Sequence, residues 1–113
     1  MEGDLYTYRA RIVSVYDGDT VTADVDLGFN TWVHGEKLRL YRINAPEVRG
    51  AERAQGLVSR DWLRNQLLDK EVLIRTVKDK KGKFGRYLVE IILDGVNIND
   101  RLVEEGMAEY KEY

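Results

Sequence analysis

Between Thr20 and Leu27 the chain alternates without a break. Val21, Ala23, Val25 and Leu27 are apolar, and Thr22, Asp24 and Asp26 are polar. Period two places the apolar set on one face of a β-strand. Asp19, at the start of this strand, shares the parity of the inward set. The preceding segment, Tyr6 to Tyr16, is rich in β-branched and aromatic residues and is predicted to be a strand. Its apolar positions change parity, from Ala10 and Ile12 to Val13 and Val15, as a bulge or strong coiling would produce. Asp17-Gly18 between the two strands is a hairpin-type turn signal. Residues 28–36, with Gly28 and Gly35, read as a loop or an extended hairpin tip, and Leu38 to Ile43 as a third strand.

From Ala51 to Leu68 the period changes to 3.6. Ala51, Ala54, Leu57, Val58, Trp62 and Leu68 fall within one broad stripe, with Arg53, Arg60 and Arg64 mostly off it, which predicts a helix. Val72 to Val77 and Tyr87 to Leu93 read as the fourth and fifth strands, separated by a charged, glycine-bearing turn. Asp94-Gly95 ends the fifth. Asn97 or Asn99 can cap a short final helix that stops at Gly106, with Ile98, Leu102 and Val103 as its buried face. The predicted class is mainly β with α (α+β). A five-stranded OB-type barrel with a helix between strands three and four and a short C-terminal helix fits this order, because closure removes exposed edges. Nothing repeats and no Pro/Ser linker interrupts the chain, so residues 1–113 read as a single domain.

Composition narrows the chemistry. Hydrophobic residues are 43% and charged residues 34%, a globular balance. There is no cysteine, which excludes a disulfide scaffold, a thiol nucleophile, an iron–sulfur cluster and a cysteine zinc site. His34 is the only histidine, so a His-rich zinc centre cannot be built and a Ser-His-Asp triad would hang on that one residue. Any metal must be a hard cation held by oxygens. The formal net charge of −2 means that contact with a polyanion must come from a local patch. No apolar run is long enough to span a bilayer. The first residues lack the features of a signal peptide, so the default address is the cytoplasm, or outside the cell if a leader has been removed.

Three scattered pieces carry candidate chemistry: Asp17-Gly18-Asp19-Thr20, the stretch from Arg39 to Glu47, and Lys83-Phe84-Gly85-Arg86. Each lies at a predicted strand end, where the rim of a barrel gathers such segments. Together they offer carboxylates and an amide oxygen for a hard cation, and guanidiniums for a phosphate. Each also has a plain structural reading: turn chemistry for the Asp-Gly-Asp-Thr piece, a solvated hairpin tip for Lys78 to Lys83, a surface position for His34, and packing for Trp32 and Trp62. Pro46, the only proline, favours the functional reading. It fixes its own φ and holds Ala45 extended, which can aim the Ala45 carbonyl and the Asn44 side chain at one point with Glu47 just beyond.

In this combination and order, from about Tyr6 to Met107, the chain resembles the staphylococcal nuclease (thermonuclease) family. The resemblance implies an OB-fold barrel and a calcium-dependent phosphodiesterase acting on DNA and RNA. It implies one Ca2+ ion held by Asp19, by Asn44 where the family usually has a second aspartate, and by the backbone carbonyl of Ala45. Asp17 and Thr20 would support that site. Glu47 would position or deprotonate the attacking water, and Arg39 and Arg86 would clamp the scissile phosphate. Lys81, Lys83 and Phe84 would face the substrate, with Phe84 where the family often has tyrosine. The expected partner is single-stranded or breathing DNA or RNA, the expected state a monomer. The alternative is a non-catalytic OB barrel that binds nucleic acid, its metal site weakened by Asn44, using Tyr41, Phe84 and Tyr87 as stacking faces.

Overall fold

The computed structural model describes residues 6–81 and 85–112, and among them eight strands and two α-helices. The first three long strands are β1 (Thr7–Asp17), β2 (Thr20–Gly28) and β3 (Thr31–Leu40). A two-residue strand, β4 (Ile43–Asn44), leads through a 3-10 turn at Gly50–Glu52 into α1 (Arg53–Leu67). Then come β5 (Glu71–Lys81), β6 (Tyr87–Leu93), β7 (Val96–Asn97), α2 (Ile98–Glu104) and β8 (Glu109–Tyr110).

The long strands pair in the order β3-β2-β1-β5-β6, and β6 returns to β3 to close the ring. Every pairing is antiparallel except the closing one, where Leu38–Leu40 run parallel to Tyr87–Val89. This is the expected five-stranded barrel, with α1 between the third and fourth long strands. Its interior is filled by Ala10, Ile12, Val21, Ala23, Leu40 and Ile91, all at or near zero exposure. The expected alternation of β2 holds for Val21, Ala23 and Val25 but fails at Leu27, which is exposed where the strand runs out into the hairpin. The parity change in β1 is a register shift between Ile12 and Ser14. It lets Ile12 and Val15 both face inward.

Of the two readings of residues 28–36, the structure shows the extended hairpin: β2 and β3 form a long hairpin whose tip is Phe29-Asn30, both at positive φ (53° and 57°). That is the backbone of a hairpin turn matched to the right-handed strand twist. The third strand does not run to Ile43 but ends at Leu40, because Arg42 adopts a left-handed conformation (φ 69°). The cost of order 1 kcal/mol or more for such a backbone is offset by the Arg42 guanidinium, which donates to Glu90 Oε1 (2.6 Å) and Asp100 Oδ1 (3.0 Å). The turn sends Ile43–Asn44 off the barrel to pair with β8.

The helix is present, but its buried face is not the large apolar stripe. Gly56, Ser59, Leu63 and Leu67 point inward, Leu57 and Trp62 are half-buried, and Ala51, Ala54, Val58 and Leu68 are exposed. The inner positions of the first turns are small because neighbouring segments approach α1 closely at Gly56 and Ser59, and Leu63 and Leu67 fill the inner face only further along, so the expected stripe misses the phase. In α2 the cap is Asn97, whose side chain accepts from the Asp100 N–H at 3.1 Å. Asn99 is instead fully buried. Its Oδ1 accepts from the Ile91 N–H, and its Nδ2 donates to the Tyr41 and Val89 carbonyls. Ile98 and Leu102 are buried and Val103 half-buried. Gly106 follows the helix at φ 75°, as a terminating glycine does.

Candidate active site

The rim where β3 leaves β2 for β6 gathers Asp17, Asp19, Thr20, Arg39, Asn44, Ala45 and Arg86. Arg39 sits at this junction, level with Thr20 on β2 and Leu88 on β6. The Leu40 N–H donates to the Asp19 carbonyl and the Tyr41 N–H to the Val89 carbonyl, each at 2.8 Å, so the change of partner costs no backbone hydrogen bond.

Gly18 and Asp19 form the two-residue connection of the β1–β2 hairpin. Asp19 is buried, at 6% exposure. Its Oδ2 accepts from the Ala45 N–H at 2.8 Å and lies 3.2 Å from Arg39 Nη2, and its Oδ1 accepts from the Thr20 hydroxyl at 3.2 Å. The same Arg39 Nη2 donates to Asn44 Oδ1 at 3.3 Å, while Nη1 donates to the Leu40 carbonyl at 2.8 Å. Arg86 enters from the other side, its Nη1 donating to Thr20 Oγ1 at 3.0 Å. Asp19, Thr20, Arg39, Asn44, Ala45 and Arg86 thus form one connected network drawn from four separate segments.

Asp17 touches the network through its Oδ1, which accepts from the Asp19 N–H at 3.0 Å. Burial, reinforced by the neighbouring Asp19 carboxylate, pushes the Asp17 carboxyl up to about 7. Glu47 lies three residues beyond Asn44 and is exposed. Its backbone N–H reaches Glu52 Oε1 at 3.4 Å. Lys81 is exposed at the end of β5, with its ammonium 4.8 Å from the centre of the Tyr87 ring. Lys83 and Phe84 lie outside the described residues. Tyr41 and Tyr87 are half-buried, and Trp32 stacks on His34 out on the hairpin, with centroids 6.4 Å apart.

The acceptors gathered at this rim are all oxygen. Asp19, Asn44, the Ala45 backbone and Thr20 supply oxygen alone, as a hard cation requires. Among the described residues no group of three or more His, Cys, Asp or Glu is placed to hold a metal. Asp19 is the carboxylate of this connected network, and Arg39 Nη2 faces it at 3.2 Å.

Two contributions escaped the sequence reading: the close packing at Gly18 and at Gly56. A Cβ on Gly18 would stand 2.7 Å from the Ala45 Cβ and 2.9 Å from the Ser59 Cβ. Its φ is not positive, so the glycine serves close packing rather than the turn. Ser59 in turn donates to the Met107 carbonyl at 2.6 Å, tying α1 to the segment after α2. Between these elements runs a groove of about 500 Å³ whose wall includes Asn44, Pro46 and Met107 but neither Asp19 nor Arg39.

Comparison with known proteins places these features in a lineage. Residues 37–113 match the family model described as staphylococcal nuclease homologue. The chain is 27% identical over 110 residues to a thermonuclease of Staphylococcus hyicus, covering 95% of this chain and 60% of that protein. It is 28% identical over 102 residues to the thermonuclease of Staphylococcus intermedius, covering 88% and 57%. A protein of Haemophilus influenzae named an uncharacterized endonuclease is 33% identical over 104 residues, covering 91% and 53%. The chain therefore spans a little over half the length of the curated relatives it matches.

Proposed function

The chain belongs to the staphylococcal nuclease family, and from that premise we propose that it hydrolyses phosphodiester bonds of DNA or RNA with the help of one calcium ion. The observation that carries this reading is the single network joining Asp19, Asn44 and Ala45 to two arginines. Asp19, Asn44 and the Ala45 carbonyl would hold the ion. When bound, it would supply Lewis-acid stabilisation of charge on the phosphate. Glu47 would orient a water for in-line attack and accept its proton. Arg39 and Arg86 would donate charge-assisted bonds to the equatorial phosphate oxygens, where negative charge builds in the transition state. Water would form the new P–O bond as the ester bond breaks; its proton would pass to Glu47, and the departing oxygen would take a proton from solvent water.

A rim site of this size favours a strand that is single or breathing. Phosphate contacts position without reading bases, so sequence preference is expected to be weak. The second reading, a nucleic-acid-binding barrel without catalysis, draws on one feature: Arg39 Nη2 bridges Asp19 and Asn44, setting an internal cation against both side-chain ligands.

The test is cleavage of fluorescent single-stranded DNA and RNA with added calcium, with chelator, and by Glu47→Gln. Expected are cleavage in calcium, none in chelator, and a loss on the order of 10²- to 10⁴-fold in the variant. Binding that persists in chelator without cleavage in any divalent ion would assign the chain to the second reading.

A further inference from the structure

We propose that Gly56, on the inner face of α1, is a positioning residue for Glu47. The proposal rests on the catalytic reading of Glu47. Gly56 is the fourth residue of α1 and is buried. A glycine inside a helix is less stable there than alanine, so its presence needs a local cause. Here the cause is steric. A Cβ on Gly56 would fall inside the contact distance of the Glu47 carbonyl oxygen and carbon, and 2.8 Å from the Val48 nitrogen. All three atoms are backbone, so no side-chain rotation can clear the space.

The other peptide of the same residue is also held, by the 3-10 turn that leads into the helix, since the Glu47 N–H donates to Glu52 Oε1. The peptide groups on both sides of Glu47 are therefore docked on one turn while its side chain stays exposed. Residues 45–49 carry no regular structure, so this docking takes the place of strand or helix hydrogen bonds in setting where Glu47 sits. Gly18 likewise packs closely against the side chains of Ala45, two residues earlier, and of Ser59. A methyl group at position 56 would push the Glu47 peptide off the helix. Displacing a reacting group by about 1 Å costs on the order of 10²-fold in rate.

Gly56→Ala is the variant to make, with Gln55→Ala as the control, an exposed position on the same helix turn. Gly56→Ala is expected to remain folded and to lose on the order of 10²-fold in kcat with KM changed less than about threefold, because phosphate binding belongs to Arg39 and Arg86. Gln55→Ala is expected to cleave at the parent rate. In the metal-free protein, the Glu47 and Val48 amide resonances are expected to shift in Gly56→Ala while the Arg9 and Leu73 amides on the far strands hold still. Unmoved Glu47 and Val48 resonances would overturn the proposal whatever the activity. So would parent-level kcat, or a Gly56→Ala chain that fails to fold, since the contact would then be global rather than local. If the parent protein cleaves nothing but those two amides shift, the docking stands and the catalytic reading of Glu47 falls.

Discussion

Replacing Arg39 by methionine isolates the central ion pair. The guanidinium and the Asp19 carboxylate are 3.2 Å apart, with side chains 11% and 8% exposed. At an effective dielectric constant near 20, that separation corresponds to about 5 kcal/mol of attraction. Removing one partner of a buried pair leaves an uncompensated charge and costs about 3–5 kcal/mol. The bonds from Arg39 to the Leu40 carbonyl and to Asn44 go as well. A domain of this size has about 5–15 kcal/mol in all, so the loss is a large share of its stability. Urea unfolding followed by tryptophan fluorescence measures it, and Tm should fall by roughly 15–25 °C. Adding Asp19→Asn removes the stranded carboxylate, so the double variant should be more stable than the summed single effects by about 2 kcal/mol or more. An Arg39→Met protein within about 1 kcal/mol of the parent, or single effects that simply add, would refute the electrostatic argument.

Three further outcomes are expected. Asn44→Asp adds a full charge to the oxygen set, and calcium affinity by titration calorimetry should tighten by at least about tenfold; unchanged affinity would remove Asn44 from the ligands. Asp17 titrates near 7 in the folded protein against an ordinary value of 3.8, so the folded state keeps a proton that the unfolded chain releases. Its stabilising contribution is complete below the unfolded value and is lost as pH rises through about 7. The urea midpoint should therefore fall from pH 5 to pH 8 in the parent and fall less in Asp17→Asn; equal declines would show that Asp17 is not the source. Asn99→Leu removes the side-chain partner of the Ile91 N–H and of the Tyr41 carbonyl, and one of the two donors to the Val89 carbonyl, which keeps the Tyr41 N–H. It should cost about 2–4 kcal/mol and sharply lower hydrogen-exchange protection at Ile91, and undiminished protection there would contradict the role given to Asn99.

Most of the barrel was legible in the chain itself. Period-two alternation in Thr20 to Leu27, β-branched runs and the Asp17-Gly18 and Asp94-Gly95 turns are local signals. A strand with one buried face has to display them. The convergence of Asp19, Thr20, Arg39, Asn44, Ala45 and Arg86 was legible too, because strand ends in a closed barrel gather at its rims whatever the side chains. What stayed hidden was decided by contacts between distant segments. The third strand breaks at Arg42 because Glu90 and Asp100, far along the chain, anchor an arginine in a backbone region that nothing about arginine announces. The phase of α1 was misread because its inner face is set by backbone pressing on Gly56 and Ser59, and apolar bulk says nothing where there is no room for bulk. The bridge from Arg39 to both Asp19 and Asn44 likewise exists only once β2, β3 and β4 are folded together. Periodicity is a property of neighbours in sequence and can be read along the chain; the distance between a guanidinium and a carboxylate twenty residues away is a property of the closed barrel alone.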